Sequence, residues 1–462
     1  MKKNLFIGDN LPVLRNMQSK SVDLIYLDPP FNSGKQWGNP IKAEGRKAEV
    51  AFKDTWSLGD IHADEELELR HYAKDVIPLI NSLFTINGGS WKAYLIYMGI
   101  RLAEMHRVLK DTGSIYYHCD PTMSHGVKLI MDCIFGKANF RNEIVWHYGG
   151  RGGKAVSKQF PRNGDVILFY TKSGETAINK QTYTVKIPIK DSGYKVDTEG
   201  RYFRTSPRGN YTDESIQQLE KEGRIYRTSN GTIRIKYYEK SDDEFIYEEK
   251  VIGNVWSDIA DAMHLPQKER TGYPTQKPLK LLERIINASS NKGDIVLDPF
   301  CGCATTCVAA NNLERSWIGV DLSDKAEHFI KSRIRKESFE LVEGTFELNP
   351  KQEPRTDYQK PDKNTVKAEL FAQSKICIGC DKEKILEDMD LDHIVPRTRG
   401  GQDQWRNFQL LCRNCNTGKG GKGMTEWSNY LMQKRMNAEA EIEKVKMQEK
   451  IDELQRKREE RK

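Results

Sequence analysis

Apolar and polar positions along the chain switch repeatedly between a short-run pattern and a helical one. Residues 4–8 (NLFIG) form a brief apolar run ending at Gly8-Asp9-Asn10, which reads as a buried strand. Residues 11–18 can continue as a helix. Residues 22–27 (VDLIYL) form a second apolar run that leads straight into Asp28-Pro29-Pro30-Phe31. Between 91 and 110, Leu95, Met98, Leu102, Met105 and Leu109 recur at helical spacing. Asp111-Thr112-Gly113 is expected to stop that helix, with SIYYHC (114–119) following as a strand. The same rhythm returns after Pro274: a helix over 278–290, a strand over 294–297, a helix over 304–313, a strand over 316–320 and a helix over 324–336. Strand–helix alternation with short connections predicts an α/β sheet.

The pattern breaks between about 150 and 250. GGRGGK (149–154) is loop-like, and Asn230-Gly231 between IYRTS and TIRIK reads as a hairpin turn. A β-rich insert within the α/β frame is expected. Prolines 350, 354 and 361 among charged residues predict a linker. The expected plan is 1–150 and 256–345 as two halves of one α/β domain, 151–255 as the insert, 346–370 as the linker, 371–423 as a small domain and 424–462 as a charged helical tail. No internal repeat is present.

Composition narrows the picture only a little. A net charge of +7 over 462 residues is mildly basic and raises the expectation of a nucleic-acid partner slightly. The first ten residues lack a signal-peptide core, and no segment is apolar for long enough to cross a membrane, so a cytoplasmic protein with no membrane partner is expected. Of the nine cysteines, Cys377, Cys380, Cys412 and Cys415 form two CxxC pairs, which suggest metal. Cys119, Cys133, Cys301, Cys303 and Cys307 lie in apolar or Gly-rich contexts and read as buried or incidental thiols.

Two segments carry candidate chemistry in the α/β part. Asp298-Pro299-Phe300-Cys301-Gly302-Cys303-Ala304-Thr305-Thr306 lies between a strand and a helix. Gly302 permits a tight turn and close ligand approach. The next strand ends in Asp321, placed as the acid that takes ribose hydroxyls in nucleotide-binding α/β folds. The loop has neither a P-loop lysine nor a full GxGxxG, which argues against a phosphate cradle. An ordinary strand-to-helix turn is the alternative. In the second segment, Asp28 and the Pro29 carbonyl can accept hydrogen bonds from both N–H groups of an amino nitrogen and so localise its lone pair. Pro29 and Pro30 stiffen the loop, and Phe31 offers a face to a base that has flipped out of a duplex. A rigid turn without chemistry is the alternative.

Taken together, Asp28-Pro29-Pro30-Phe31 and Asp298-Pro299-Phe300-x-Gly302 resemble the two motifs of the amino-methyltransferases. Their order in the chain, with an insert between them, resembles the β class of DNA methyltransferases over about residues 1–340. The resemblance implies a Rossmann-like methyltransferase sheet and S-adenosylmethionine as methyl donor. Asp9, Lys277, Asp298, Phe300, Gly302, Thr305 and Asp321 would then face the donor. Gly8-Asp9 resembles the segment that contacts the donor's adenine, and Thr275-Gln276-Lys277-Pro278 the segment that closes over its methionine end. Residues 165–170 resemble the strand that flanks the recognition region. Ala304 departs from the family's usual Gly. Asp28, rather than Ser, favours N6 of adenine over N4 of cytosine. No Pro-Cys dipeptide is present for C5 methylation of cytosine. Six of the insert's arginines, Arg201, Arg204, Arg208, Arg224, Arg227 and Arg234, stand among tyrosines and would face double-stranded DNA, or else form a solvated surface.

In the C-terminal part the two CxxC pairs have tetrahedral zinc spacing. About 50 residues bury too little to fold without a staple, so structural Zn²⁺ is expected. Between the pairs lie Asp392, His393 and Asn407, and Asn416 follows the last cysteine. This set resembles an HNH endonuclease with a ββα-metal fold. The resemblance implies His393 as general base, Asp392 and Asn416 as Mg²⁺ ligands, and Asn407 as the residue that fixes the loop presenting His393. A zinc knuckle that only binds DNA is the alternative. The whole reads as a restriction–modification polypeptide; a homodimer through the tail is left open, since no clean heptad persists.

Overall fold

The computed structural model describes residues 2–32, 35–38, 50–61, 63–149, 160, 163–176, 178–267, 269–273, 275–323, 325–337, 346–352, 362–399, 403, 407–423 and 425–433. Residues 150–154 of the expected Gly-rich loop, 353–361 of the expected linker and 434–462 of the expected tail lie outside them. The chain divides into a unit of residues 1–177 with 257–462, and a second unit of residues 178–256.

In the first unit the apolar runs become strands β1 (Lys3–Ile7), β2 (Val22–Leu27), β3 (Leu109–Cys119), β4 (Phe140–His147), β5 (Gly164–Thr171), β6 (Ile295–Asp298), β7 (Ser316–Asp321) and β8 (Glu347–Leu348). They share one sheet in the order β4-β5-β3-β2-β6-β7-β1-β8. From β3 to β8 all neighbours run parallel. Strand β5 is antiparallel to both β3 and β4. Strands β2, β6 and β7 are buried almost continuously, as parallel strands covered on both faces must be. Helices α1 (Asn10–Asn16), α2 (Gly89–Val108), α3 (Leu279–Ser289), α4 (Thr305–Asn312) and α5 (Lys325–Glu337) alternate with them.

Two details depart from the sequence expectation. Asp111-Thr112-Gly113 does not separate a helix from a strand; it lies inside β3. The register jumps from Val22↔Leu109 to Leu24↔Ser114, so the extra residues bulge out of the ladder. A Cβ on Gly113 would stand 2.9 Å from the Asp23 carbonyl oxygen, so only glycine fits that bulge. The 346–370 segment is not featureless either. Strand β8 extends the sheet beside β1, and helix α6 (Lys363–Gln373) starts at an Asp362 cap that accepts from the Thr365 N–H at 2.8 Å.

Helix α6 buries Val366 and Leu370 in the C-terminal core with Met389, Phe408, Leu411 and Trp427. That core therefore reaches beyond 371–423 at both ends. It is built on an antiparallel pair, β9 (Met389–His393) with β10 (Phe408–Cys412), followed by helix α7 (Arg413–Lys419).

The second unit, taken by itself, is mainly β. It holds a four-stranded sheet, a three-stranded sheet and the helix Asp213–Lys221, which packs Ile216 and Leu219 on Ile235. The strand Ile225–Arg227 turns back on Ile233–Tyr238, with Gly231 at φ 77°.

Candidate active site

Parallel strands end together, and side chains that follow their carboxyl ends meet at one edge of the sheet. In open α/β sheets ligands bind there. Ile7 is paired with Asp321, and Asp298 with Gly319, so the loops after β1, β6 and β7 emerge side by side, with the loop after β2 adjoining. They enclose a cavity of about 790 Å³ lined by Asp9, Asp28, Phe31, Asp298, Gly302 and Asp321, among others. Pro29, Pro30, Phe300, Thr305 and Lys277 also line it. All the site residues expected in the α/β part thus share one cleft.

Asp28 directly follows β2. Its Oδ2 accepts from Lys277 Nζ at 2.5 Å, while its Oδ1 is buried without a hydrogen-bond partner. A buried acceptor left unpaired costs about 1–3 kcal/mol, and a ligand that donates to it would recover that cost. Lys277 also stands 5.6 Å from the centre of the Phe31 ring. The sequence places Lys277 at the donor end; in the structure its partner is the acid of the other motif.

Asp298 closes β6 and is almost fully buried. Burial pushes its carboxyl up to about 7, the charges of Asp28 and Asp321 add to this, and hydrogen bonds from Thr306 Oγ1 at 2.5 Å and the Phe300 N–H at 3.1 Å oppose it. Burial also raises Asp321, against hydrogen bonds from the Ser323 N–H (2.9 Å) and the Gly302 N–H (2.7 Å). Gly302 sits at φ 50°, and a Cβ there would come within 3.2 Å of the Tyr273 ring. Ala304 adopts the left-handed conformation at φ 59° and ψ 34°, which is where a glycine belongs. Thr305 Oγ1 accepts from Arg333 at 2.8 Å.

Asp9 caps α1 through the Leu11 N–H at 3.0 Å and takes Arg101 Nη2 at 2.9 Å. Arg101 is buried, stacks 3.5 Å from the Tyr97 ring centre and donates to Asn10 Oδ1 at 2.8 Å. Asn10 in turn donates to the Pro299 carbonyl at 2.7 Å, which ties the loop after β1 to the loop after β6. Sequence reasoning passed over Arg101, Asn10 and Thr306. Only Arg101 left a signal, as a guanidinium in the middle of a helix otherwise read by its apolar spacing.

In the C-terminal core the four Sγ atoms of Cys377, Cys380, Cys412 and Cys415 lie within 4.8 Å of one another, and Cys380 and Cys412 are 4.0 Å apart. A tetrahedron of thiolates around zinc at about 2.3 Å needs S···S separations of about 3.8 Å, so the cluster fits. Backbone N–H groups of Cys412, Cys380 and Gly379 outweigh burial and bring the Cys377 thiol below its ordinary value, which favours the thiolate a metal requires.

His393 ends β9. Its Nε2 meets Asp403 Oδ1 at 2.7 Å, and Asp403 is held by Arg397 at the same oxygen. Asn407 accepts from the Val395 N–H at 2.8 Å and donates to the Val395 carbonyl at 3.1 Å, two residues past His393. Asp392 Oδ2 takes the fully buried Lys419 ammonium at 2.9 Å and Gln409 at 2.8 Å. Asn416 donates instead to Asp390 Oδ2 at 3.3 Å. Asp403 and the Lys419–Asp392 pair were not foreseen as features of this site.

The insert's arginines are largely neutralised within their own unit. Arg201 pairs with Asp197, Arg204 with Glu239, Arg208 with Asp213, Arg224 with Glu222 and Arg227 with Glu220. Arg234 bonds to Thr205. Residues 178–256 hold 14 Lys and Arg against 13 Asp and Glu, so this unit is close to neutral.

A parallel-centred sheet with an acid-lined cleft at its carboxyl edge, joined to a four-cysteine ββα unit, defines a Rossmann-like transferase that carries a small zinc-type domain. The chain belongs to the DNA methylase family, which it matches over residues 22–332, and it carries an HNH endonuclease domain over residues 377–422. It is 28% identical over 358 residues to the type II methyltransferase M.EcaI of Enterobacter cloacae, covering 72% of this chain and 69% of the relative. It is also 28% identical to the DNA adenine methyltransferase YhdJ of Escherichia coli K12, covering 72% and 82%. The match to the StyLTI Mod subunit of Salmonella typhimurium, a type III restriction–modification enzyme, is 28% identical and spans 66% of this chain but only 49% of that longer one. Among the described residues no helix is long and apolar enough to cross a membrane.

Proposed function

We propose that the chain transfers a methyl group from S-adenosylmethionine to N6 of adenine in double-stranded DNA, and that its HNH unit cuts DNA with Mg²⁺. The observation that carries the first part is Asp28, which lines the same cleft as Asp298 and Asp321 and whose buried Oδ1 has no hydrogen-bond partner. S-adenosylmethionine supplies a methyl carried on a sulfonium. Asp321 would take its ribose hydroxyls, Asp9 would face its adenine, and Gly302 leaves room for its close approach. Phe31 stacks the flipped base. Asp28 Oδ1 and the Pro29 carbonyl would accept hydrogen bonds from the two amino N–H groups, so that the nitrogen lone pair turns toward the methyl. Transfer would form the N–C bond as the S–C bond broke, leaving a neutral thioether, and the extra amino proton would pass to solvent. Until the base arrives, Lys277 offsets the Asp28 charge.

Adenine is favoured because the acceptor motif begins with Asp28, and the relative YhdJ is an adenine enzyme. In the nuclease His393 would activate water against a phosphodiester, with Asp392 and Asn416 holding Mg²⁺. Expression in a methylation-deficient host, followed by long-read sequencing of modified bases, tests the first part. N6-methyladenine in a fixed sequence context is expected; N4-methylcytosine would move the assignment to the other base, and an unmodified genome would remove it.

A further inference from the structure

His118 occupies the central strand β3 with no exposed surface, where an apolar side chain is the usual occupant. Its two nitrogens are both engaged. Nδ1 lies 2.9 Å from the Tyr26 hydroxyl, and Nε2 lies 3.2 Å from Asp165 Oδ2. Burial works against an ionised Asp165, yet the hydrogen bonds from His118 and Tyr148, with the Lys277 charge, hold its carboxyl below the ordinary value. A carboxylate only accepts, so the imidazole must present its N–H from Nε2 to Asp165. In the neutral ring Nδ1 is then the acceptor, and the Tyr26 hydroxyl donates to it. The His118 ring also backs Phe31, with centroids 6.1 Å apart and planes 27° from parallel, and it meets Trp146 edge-on at 5.7 Å.

His118 is not itself part of the cavity wall, but Tyr26, Phe31, Asp165 and Tyr148 all are. A histidine serving only the core would have no reason to bind three wall residues of one cleft. We propose that His118 is a positioning residue for methyl transfer, locked in one tautomer by Asp165 so that it fixes the Tyr26 hydroxyl and the Phe31 ring at the acceptor-base end of the cleft. The assignment rests on the reading of Asp28 and Phe31 as that end.

The test is single-turnover methylation by the full-length protein with radiolabelled S-adenosylmethionine, alongside donor affinity by calorimetry and thermal unfolding. Tyr26→Phe removes one oxygen and leaves the packing intact. It should lower the methylation rate about tenfold while donor affinity stays within twofold. His118→Phe should do the same, and His118→Gln, whose amide nitrogen can replace Nε2 toward Asp165, should recover part of the loss. Because the two residues act through one bond, Tyr26→Phe should add little to His118→Phe. Full-rate Tyr26→Phe enzyme would overturn the proposal. So would losses that add in the double variant, or losses that follow donor affinity or melting temperature. An inactive wild type on every duplex tested would instead remove the reading of the cleft itself.

Discussion

Lys277 Nζ lies 2.5 Å from Asp28 Oδ2, joining residues 249 positions apart in the chain. Both side chains are mostly buried, at 10% and 17% exposure. The pair therefore links the two halves of the methyltransferase and neutralises the acceptor acid. Removing one partner strands the other charge in a poorly solvated site. Asp28→Ala and Lys277→Met should each destabilise the fold by about 2 kcal/mol, and the double variant should cost less than the two combined. Asp28→Ala should also lower methyl transfer about a hundredfold or more, since it removes the buried acceptor Oδ1. Denaturation midpoints and single-turnover rates check both statements; additive destabilisation would show the pair to be a surface contact of no consequence.

The buried acid of the donor loop makes stability depend on pH. The unfolded Asp298 carboxyl titrates near 4, whereas burial, helped by the charges of Asp28 and Asp321, places it at about 7 in the fold. Below pH 4 it is protonated in both states. As pH rises from there the unfolded chain gives up the proton first, so stability falls until the folded pKa is passed. Between pH 5.5 and 8 the unliganded protein should lose about 2 kcal/mol through this group. Asp298→Asn should remove that part of the slope. Urea titrations at the two pH values are the measurement, and equal slopes for the two proteins would refute it.

Ala304 holds a left-handed conformation that costs an alanine roughly 1–2 kcal/mol. Glycine would return part of that gain as roughly 0.5–1 kcal/mol of chain entropy. Ala304→Gly should therefore stabilise the protein by about 0.5–1 kcal/mol. It should leave donor binding close to wild type, because glycine adopts the same left-handed conformation. A variant no more stable than wild type would mean that the helix start relaxes differently around alanine.

Much of this architecture was legible in the chain, and the exceptions have physical causes. The apolar runs at 22–27, 294–297 and 316–320 read as strands, and each led into an acid that now lines the cleft. Asp111-Thr112-Gly113 looked like a helix stop because its residues favour turns. The structure uses the same turn preference for a bulge, which a local reading cannot distinguish from a break. Helix α6 was hidden by the prolines before it, although the Asp362 cap and the Val366–Leu370 spacing were present in the sequence. The insert's arginines read as DNA contacts or a solvated surface, because residue type alone does not show that Arg201, Arg208, Arg224 and Arg227 turn onto acids close by in the chain and Arg204 onto the distant Glu239. The Lys277–Asp28 contact depends on parallel strands far apart in sequence, and no motif announces it.

The four cysteines should hold one zinc per chain. Apparent binding energies for such structural sites are about 10–16 kcal/mol, more than a core of this size supplies. A strong chelator, or Cys412→Ser, should melt the core built on Val366, Phe408 and Trp427. Metal analysis and limited proteolysis within 362–433 report this, while methyl transfer provides an internal control. A protease-resistant C-terminal unit without zinc would contradict it.

In the HNH unit the proposed roles separate chemistry from scaffolding in two residues. His393 is bound through its ring to Asp403, whereas Asn407 makes both of its Val395 hydrogen bonds to backbone. His393→Ala should therefore abolish Mg²⁺-dependent cleavage and leave zinc content, melting and methylation close to wild type. Asn407→Ala unpairs a partly buried N–H and carbonyl, so it should cost about 1 kcal/mol in the C-terminal core and slow cleavage by loosening the loop that follows His393. The contrast is the informative result. If Asn407→Ala cuts at the full rate, the loop does not depend on it; if wild type never cuts DNA of any methylation state, the unit binds without cleaving and His393 has no water to activate.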